Sequence, residues 1–166
     1  MVVKVNRAGV TLLYRDGYFA RRELGPLQRR ATIISSRIMA AAASDRAISD
    51  LPVKIDRASV EMAGPRGVAQ VDITIDIGRM FFDVADDRHH GEVEVSVFCV
   101  DGRDGSVGAS SQTLQLGYTE QRLAVVKQSG LKHSVMIPVT GRPANVKVVV
   151  YDYNADLVGS AISKVK

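Results

Sequence analysis

The spacing of apolar residues changes near Leu51, and this change divides the chain into a shorter front part and a longer rear part. In the front part, apolar residues between positions 27 and 43 recur every three or four residues, which is the period of one helix face. In the rear part they recur at every second position, most regularly in residues 70–77 and 92–99. Side chains of a strand point alternately to its two faces, so this alternation predicts half-buried β-strands.

The last stretch, residues 145–164, predicts a β-hairpin. Its apolar residues are Val146, Val148 and Val150 in the first strand and Val158, Ala161 and Ile162 in the second. Residues 154–156, Asn-Ala-Asp, suit the reversal, because Asn and Asp bond their own backbone and tolerate left-handed geometry. Two strands alone are marginally stable in water, so this hairpin needs a facing sheet.

The other alternating segments bring the count to about seven strands, with turns every 8–12 residues, as in antiparallel sandwiches. These segments are residues 53–62, 71–77, 93–99, 107–116 and 131–139. Residues 119–129 break the alternation and predict a short helix that ends at Gly130. We therefore predict a mainly β fold, an antiparallel β-sandwich of the immunoglobulin or fibronectin-III kind.

The front part predicts an extended arm or strand hairpin at residues 2–19, followed by an amphipathic helix at residues 27–43. The apolar stripe of the helix consists of Leu27, Ala31, Ile34, Ile38 and Ala41. A single stripe of this kind must pack on another element, either the sandwich or a partner. We place the boundary between residues 1–50, the arm and helix, and residues 51–166, the sandwich.

Composition is that of a folded soluble domain: of 166 residues, 46% are hydrophobic and 24% charged. The single cysteine, Cys99, lies in a predicted core strand and cannot form an internal disulfide. No apolar run approaches the roughly 20 residues that cross a bilayer, so no membrane span is expected. The net charge of +4 comes with an arginine-rich front. From Arg29 to Arg66, no aromatic side chains are interleaved with the arginines for base stacking, so no nucleic acid partner is expected.

Residues 83–90 contain the residue types of a metal site. His89 and His90 follow Asp83, Asp86 and Asp87, and histidine and carboxylate side chains are ligands for zinc or manganese. Neighbouring residues on one loop rarely converge on a metal, so a solvated polar loop at residues 86–90 is favoured, and the metal alternative stays open. No phosphate-binding glycine motif occurs, and no cofactor is expected.

Two further sets of residues are candidates for function. His133 is predicted on the core face of its strand and Ser134 on the opposite face, so no nucleophile–base pair is indicated. Tyr151 and Tyr153 share a strand face and form either a binding stripe or, as we favour, a contact with the front helix. The candidate interaction surface combines these tyrosines with Arg29, Arg30 and Arg37 of that helix.

Three stretches resemble bacterial proteins related to von Willebrand factor A. Residues 3–22, VKVNRAGVTLLYRDGYFARR, resemble the closing strands of the A-type domain, which end in a VxVxRxGxxVxxRxGYF pattern. Residues 130–139, GLKHSVMIPV, and residues 146–165, VKVVVYDYNADLVGSAISKV, resemble the end of the region that follows. The resemblance implies that this chain is the part behind the A domain of a longer bacterial protein, exported to the periplasm or beyond the cell. The metal-binding DxSxS motif of the A domain is absent. The resemblance therefore does not imply metal-dependent ligand binding by any residue of this chain.

Together, these observations predict a non-enzymatic interaction or scaffolding module of a larger von Willebrand factor A-related protein. Its expected partner is a protein, either the A domain of the parent chain or another protein. The arm at residues 2–19 is also able to pair with a second copy in a strand-swapped homodimer. One alternative is a carbohydrate-binding accessory domain of an exported enzyme, against which the lack of tryptophan counts. The other is an arginine-rich nucleic-acid-binding module, whose affinity would fall steeply with salt.

Overall fold

The computed structural model describes residues 26–166 and confirms the mainly β fold. The order of elements is α1 (Pro26–Ala43), β1 (Val53–Ala63), β2 (Arg66–Ile75), a 3-10 helix (Ile77–Arg79), β3 (Asp83–Ala85), β4 (Arg88–Val100), β5 (Ser106–Tyr118), α2 (Glu120–Ser129), β6 (Leu131–Thr140), β7 (Asn145–Asp152) and β8 (Leu157–Lys164). The predicted arm at residues 2–19 lies outside the described residues. Within those residues, neither helix has the length and apolar character needed to cross a bilayer.

The strands form two antiparallel sheets that face each other. The smaller sheet has the order β1-β2-β6. In the larger sheet, β4 pairs with β5 along one edge and with β7 and the short β3 along the other, and β7 pairs with β8. The sheets meet at β1 and the end of β8, where the Lys166 N–H donates to the Ala58 carbonyl at 3.1 Å.

The alternating residues of both sheets meet in an aliphatic core. Its fully buried members include Val71, Ile73 and Ile75 of β2, Val93, Val95 and Val97 of β4, Val135, Ile137 and Val139 of β6, and Val146, Val148 and Val150 of β7. Branched side chains of this kind fit a pleated surface, which explains the valine-rich composition. Cys99 belongs to the same core, as predicted, and burial raises the pKa of its thiol to about 11.

The prediction of a polar loop at residues 86–90 is wrong for residues 88–90. Only Asp86 and Asp87 form the turn, with φ angles of 50° and 58°, the left-handed geometry of a two-residue hairpin turn. The main chain pairs again from Arg88 onward, so the two histidines lie in β4. The partner strand, β3, was not predicted, because its three residues are all exposed and show no alternation.

The helix α1 covers the outer face of the larger sheet, which makes the molecule three-layered. Its buried residues Ile34, Ile38 and Ala41 pack against Val149, Tyr151 and Val158. Ala31, predicted on the same stripe, is exposed because it borders a cavity instead of the sheet. The side chain of Leu27 lies outside the described part of the chain.

The prediction that the apolar residues of the last strand are buried is correct for Val158. It is wrong for Ile162, which is 46% exposed. Ile162 pairs with Lys147 and lines a cavity together with Ala43, the last residue of α1. The helix is therefore too short to cover this end of the strand.

The register of β6 predicts opposite outcomes for two neighbouring substitutions. Ile137→Ala should lower the free energy of unfolding by about 2–5 kcal/mol, because Ile137 is fully buried between the sheets. Met136→Ala should change it by less than about 0.5 kcal/mol, because Met136 is 67% exposed. Urea unfolding measures both values, and equal losses would contradict the register.

Candidate functional site

A buried carboxylate fixes the turn between β7 and β8. Asp152, the last residue of β7, is fully buried, and its Oδ1 accepts the N–H of Asn154 at 3.0 Å. The N–H groups of Ala155 and Phe81 also lie near this carboxylate and oppose the effect of burial on its pKa. Burial raises the pKa of Asp152, because desolvation disfavours the charged form. The reversal therefore occurs where the sequence predicted it, but it is held by a residue that the sequence did not single out.

Polar side chains of α1 and β7 bind this turn. The Arg30 guanidinium donates to the Tyr153 carbonyl at 2.7 Å. The Arg37 guanidinium donates to the Asp156 carbonyl at 3.3 Å and forms an ion pair with the carboxylate of the same residue. The Tyr151 hydroxyl donates to that carboxylate as well. The bond from Tyr151 and then those from Arg37 hold the pKa of Asp156 below its ordinary value.

Four of the five residues of the candidate interaction surface, Arg29, Arg30, Tyr151 and Tyr153, line one cavity of about 450 Å³. The fifth, Arg37, does not line the cavity but binds Asp156, which does. We define the α1–turn surface by the residues that border this cavity toward solvent, namely Arg29, Arg30, Ile33, Tyr153, Asn154 and Asp156. Sequence reasoning missed Ile33, Asn154 and Asp156. The Asn-Ala-Asp turn was recognised, but nothing in the sequence connected it with the helix.

The two tyrosines serve the packing of α1. Tyr151 is only 2% exposed, and its ring lies edge-on to Tyr153, with 5.3 Å between the centroids. The Tyr153 hydroxyl donates to Glu94 Oε2 at 2.6 Å. Burial, and then the bond to Glu94, raise the pKa of Tyr153 to about 12. Both hydroxyls are thus committed to internal bonds, and the favoured interpretation, packing against the front helix, is confirmed.

A second cavity, of about 360 Å³, adjoins the first between α1 and β4. Glu92 and Glu94 lie in its wall, together with Arg30 and Tyr153. The Ser111 hydroxyl donates to Glu94 Oε1 at 2.6 Å, which fixes this carboxylate from the side of β5. The cavity therefore places negative charge next to the arginines of the α1–turn surface.

The outer face of the smaller sheet carries a larger open cavity, of about 850 Å³, whose carboxylates are paired. Asp56 accepts hydrogen bonds from Lys54 at 2.8 Å and from Thr74 at 2.5 Å. Asp72 accepts one from the Ser134 hydroxyl at 2.6 Å. These bonds, led by those of Lys54 and Ser134, hold both carboxyl pKa values below the ordinary range. Carboxylates of this kind stay ionised and are unsuited to act as general acids.

His133 lies half-buried at the rim of the core, on the same side of β6 as Val135. Its Nε2 is 3.1 Å from Gln112 Oε1, so the ring is bonded. Burial lowers the pKa of the ring, because desolvation disfavours the imidazolium. Ser134 points to the opposite face and bonds Asp72, so serine and histidine do not meet here.

The histidines considered as metal ligands diverge. His89 Nε2 lies 2.5 Å from Glu120 Oε2 on α2, whereas His90 Nε2 lies 3.3 Å from the Ala85 carbonyl. Successive residues of a strand point to opposite faces, so the two rings cannot share a metal. Between residues 26 and 166, no three side chains of histidine, cysteine, aspartate or glutamate converge as metal ligands.

Comparison with protein-family models gives no match for this chain, and comparison with curated proteins gives none either. Among solved structures, a glycosyl hydrolase family 2 member from Bacteroides cellulosilyticus is similar over 68% of this chain, with 12% identity and a TM-score of 0.44. A beta-glucuronidase from glycoside hydrolase family 2 is similar over 70%, with 9% identity and a TM-score of 0.40. The alkylpurine DNA glycosylase AlkC from Pseudomonas fluorescens is similar over 84%, with 17% identity and a TM-score of 0.29.

This chain spans 14%, 12% and 36% of the lengths of those three proteins. Likeness at such low TM-scores carries no argument about activity or ligand. The function is therefore inferred from the residues of this chain.

The contacts of Asp156 predict a pH-dependent contribution to stability. Asp156→Asn keeps a residue suited to the left-handed backbone, at φ 59°, and removes the charge that Arg37 binds. We expect a loss of about 0.5–1 kcal/mol at pH 7, because both partners of this ion pair are about half exposed.

The folded pKa of Asp156 lies below its ordinary value of 3.8. The contribution is therefore present above that ordinary value and is lost as the pH falls through the folded value. Urea unfolding of both proteins at pH 7 and at about pH 2.5 measures it. An equal difference at the two pH values, or none at pH 7, would contradict this role.

Proposed function

We propose that this β-sandwich is a non-enzymatic protein-interaction module and that the α1–turn surface is where its partner binds. The observation that carries the proposal is Ile33, which is 56% exposed at the rim of the cavity of about 450 Å³. Arg29, Arg30 and Tyr153 surround the same cavity. Apolar, arginine and tyrosine side chains in one place are the composition that the centres of protein interfaces favour.

The internal bonds hold this surface in one geometry. Arg30 and Arg37 bind main-chain carbonyls of the β7–β8 turn, and the Asp152 carboxylate binds N–H groups of the turn. A surface that is ordered in the free protein loses less conformational entropy on binding. This preorganisation favours binding of a folded partner.

The positive and negative side chains at and beside the α1–turn surface favour a protein over a nucleic acid as the binding partner. Glu92 and Glu94 line the adjoining cavity, and the Asp156 carboxylate pairs with Arg37. These carboxylates would repel a phosphate backbone, whereas a protein surface presents charges of both signs.

The carbohydrate alternative has less support, because sugar-binding modules use exposed aromatic rings as platforms. Within residues 26–166, Phe81, at 58%, is the one aromatic among the large exposed apolar side chains. It lines neither of the two cavities beside α1.

The proposed partner follows from the resemblance to von Willebrand factor A-related proteins. In that interpretation, residues 3–22 belong to the end of an A domain, and α1 follows them directly in the chain. A short covalent connection raises the effective concentration of the A domain near α1. We therefore propose the A domain of the parent protein as the partner and an exported location, periplasmic or extracellular, for both.

Ile33→Asp should weaken binding between this chain and the separately produced A domain at least about tenfold. The physical reason is that an unpaired charge would replace a buried apolar contact at the interface. Isothermal titration calorimetry measures the affinity. Met136→Asp is the matched control, because Met136 is 67% exposed on the outer face of the smaller sheet, away from α1. Absence of binding by the unsubstituted chain, or equal affinities of the two variants, would overturn the proposal.

A further inference from the structure

We propose a calcium-binding site where the β7–β8 turn meets the segments on either side of β3. Three oxygen atoms converge on the Asn154 side-chain amide. They are Asp83 Oδ2 at 3.1 Å, the Phe81 carbonyl at 3.4 Å and the His90 carbonyl at 3.5 Å from Nδ2. A carboxylate, main-chain carbonyls and an asparagine side chain are the kinds of ligand that calcium binds in proteins.

One buried acceptor beside this cluster lacks a hydrogen-bond partner. The amide NH₂ of Asn154 has two hydrogens, but three oxygens face it. The Asp152 carboxylate lies against the same segments, since its Oδ1 accepts the N–H of Asn154 and the N–H of Phe81 lies near it. Its Oδ2 is buried and has no hydrogen-bond partner among residues 26–166. Unpaired buried acceptors cost free energy, and a nearby cation would offset that cost.

Binding requires little more than a rotation of one side chain. The oxygen and nitrogen ends of an amide have nearly the same shape, so a half-turn about the last bond of Asn154 places Oδ1 where Nδ2 lies. A cation between Oδ1 and the three converging oxygens would then have four protein ligands. Water would complete the six to eight oxygens that calcium takes. Asp83 and Asn154 are both exposed, so the cation can enter from solvent.

This site differs in chemistry from the metal site considered for residues 83–90. It uses the carbonyl of His90 and not the imidazole, and it does not involve Asp86 or Asp87. An all-oxygen site without fixed octahedral geometry favours calcium over zinc and magnesium. With Asp83 as the one directly ligating carboxylate, we expect a dissociation constant of about 10⁻⁴–10⁻³ M, as in extracellular modules. The inference stands independently of the proposed protein partner.

Thermal unfolding of the complete chain provides the test. The Tm is measured in EDTA and then in about 10 mM calcium or magnesium at constant ionic strength. Because calcium binds the folded state only, it should raise the Tm by about 3–6 °C. Magnesium should raise it by less, since it demands octahedral geometry and dehydrates reluctantly.

Two substitutions that each remove one negative charge distinguish a bound calcium ion from general screening of charges by the added salt. Asp83→Asn removes a ligand and should abolish the rise with calcium, while the Tm in EDTA stays near that of the unsubstituted chain. Asp86→Asn lies in the neighbouring turn at φ 50°, which asparagine tolerates, and it should retain the full rise.

The variant Asn154→Asp tests whether this side chain is a calcium ligand or has only a structural role as a hydrogen-bond donor. In EDTA it should lower the Tm, because the donor is lost and carboxylates then face each other. Calcium should raise its Tm by more than that of the unsubstituted chain, because a carboxylate is a better ligand than an amide. Three results would each overturn the site: equal shifts with calcium and magnesium, equal calcium responses of the Asp83 and Asp86 variants, or a weaker response of Asn154→Asp.

Discussion

Burial of β7 on both of its faces is the constraint on which the rest of the structure depends. Val146, Val148 and Val150 fill the space between the sheets, while Val149 and Tyr151 form the floor on which α1 packs. A strand covered on both faces loses the polar alternation of a half-exposed strand. Accordingly, β7 is buried along almost its whole length and contains four consecutive apolar or aromatic residues, 148–151. The same strand pairs with β4 on one side and β8 on the other, so it joins the helix, the larger sheet and the core.

The two polar residues of β7 that are buried set its register. Lys147 faces the side of α1, and its ammonium donates to the Ser44 carbonyl just beyond the end of that helix, where a cation is favourable. Asp152 ends the strand on the opposite face and binds the turn. A slip by one residue would exchange the two faces and leave both charges unpaired inside the protein.

Both proposed binding sites lie where β7 ends. Beyond Asp152 the chain leaves the covered layer, and the turn at residues 153–156 supplies main-chain carbonyls and polar side chains to its surroundings. Arg30 and Arg37 of α1 bind one side of this turn, while Asn154 meets the segments around β3 on the other. The proposed protein contact and the proposed calcium site therefore adjoin at the same turn and share Asn154.

The sandwich and the buried faces of its strands could be predicted from the sequence, because alternation reports directly which face of a strand is buried. The helix α2 could also be predicted, since Thr119 and Gly130 provide its two caps. The candidate sites could not be predicted, because they depend on contacts between distant segments. Arg30 and Tyr153 are 123 residues apart in the chain, and periodicity does not show which turn a helix will meet. The existence of the short strand β3 and the exposure of Ile162 could not be predicted either, because both depend on where neighbouring elements end.

Hydrogen–deuterium exchange of the backbone amides tests the central claim most directly. If β7 is the doubly covered strand that joins helix, sheet and core, the amides of residues 146–151 should exchange among the slowest in the protein, together with those of their partners in β4. Exchange of these amides as fast as those of the edge strand β1 would contradict the account.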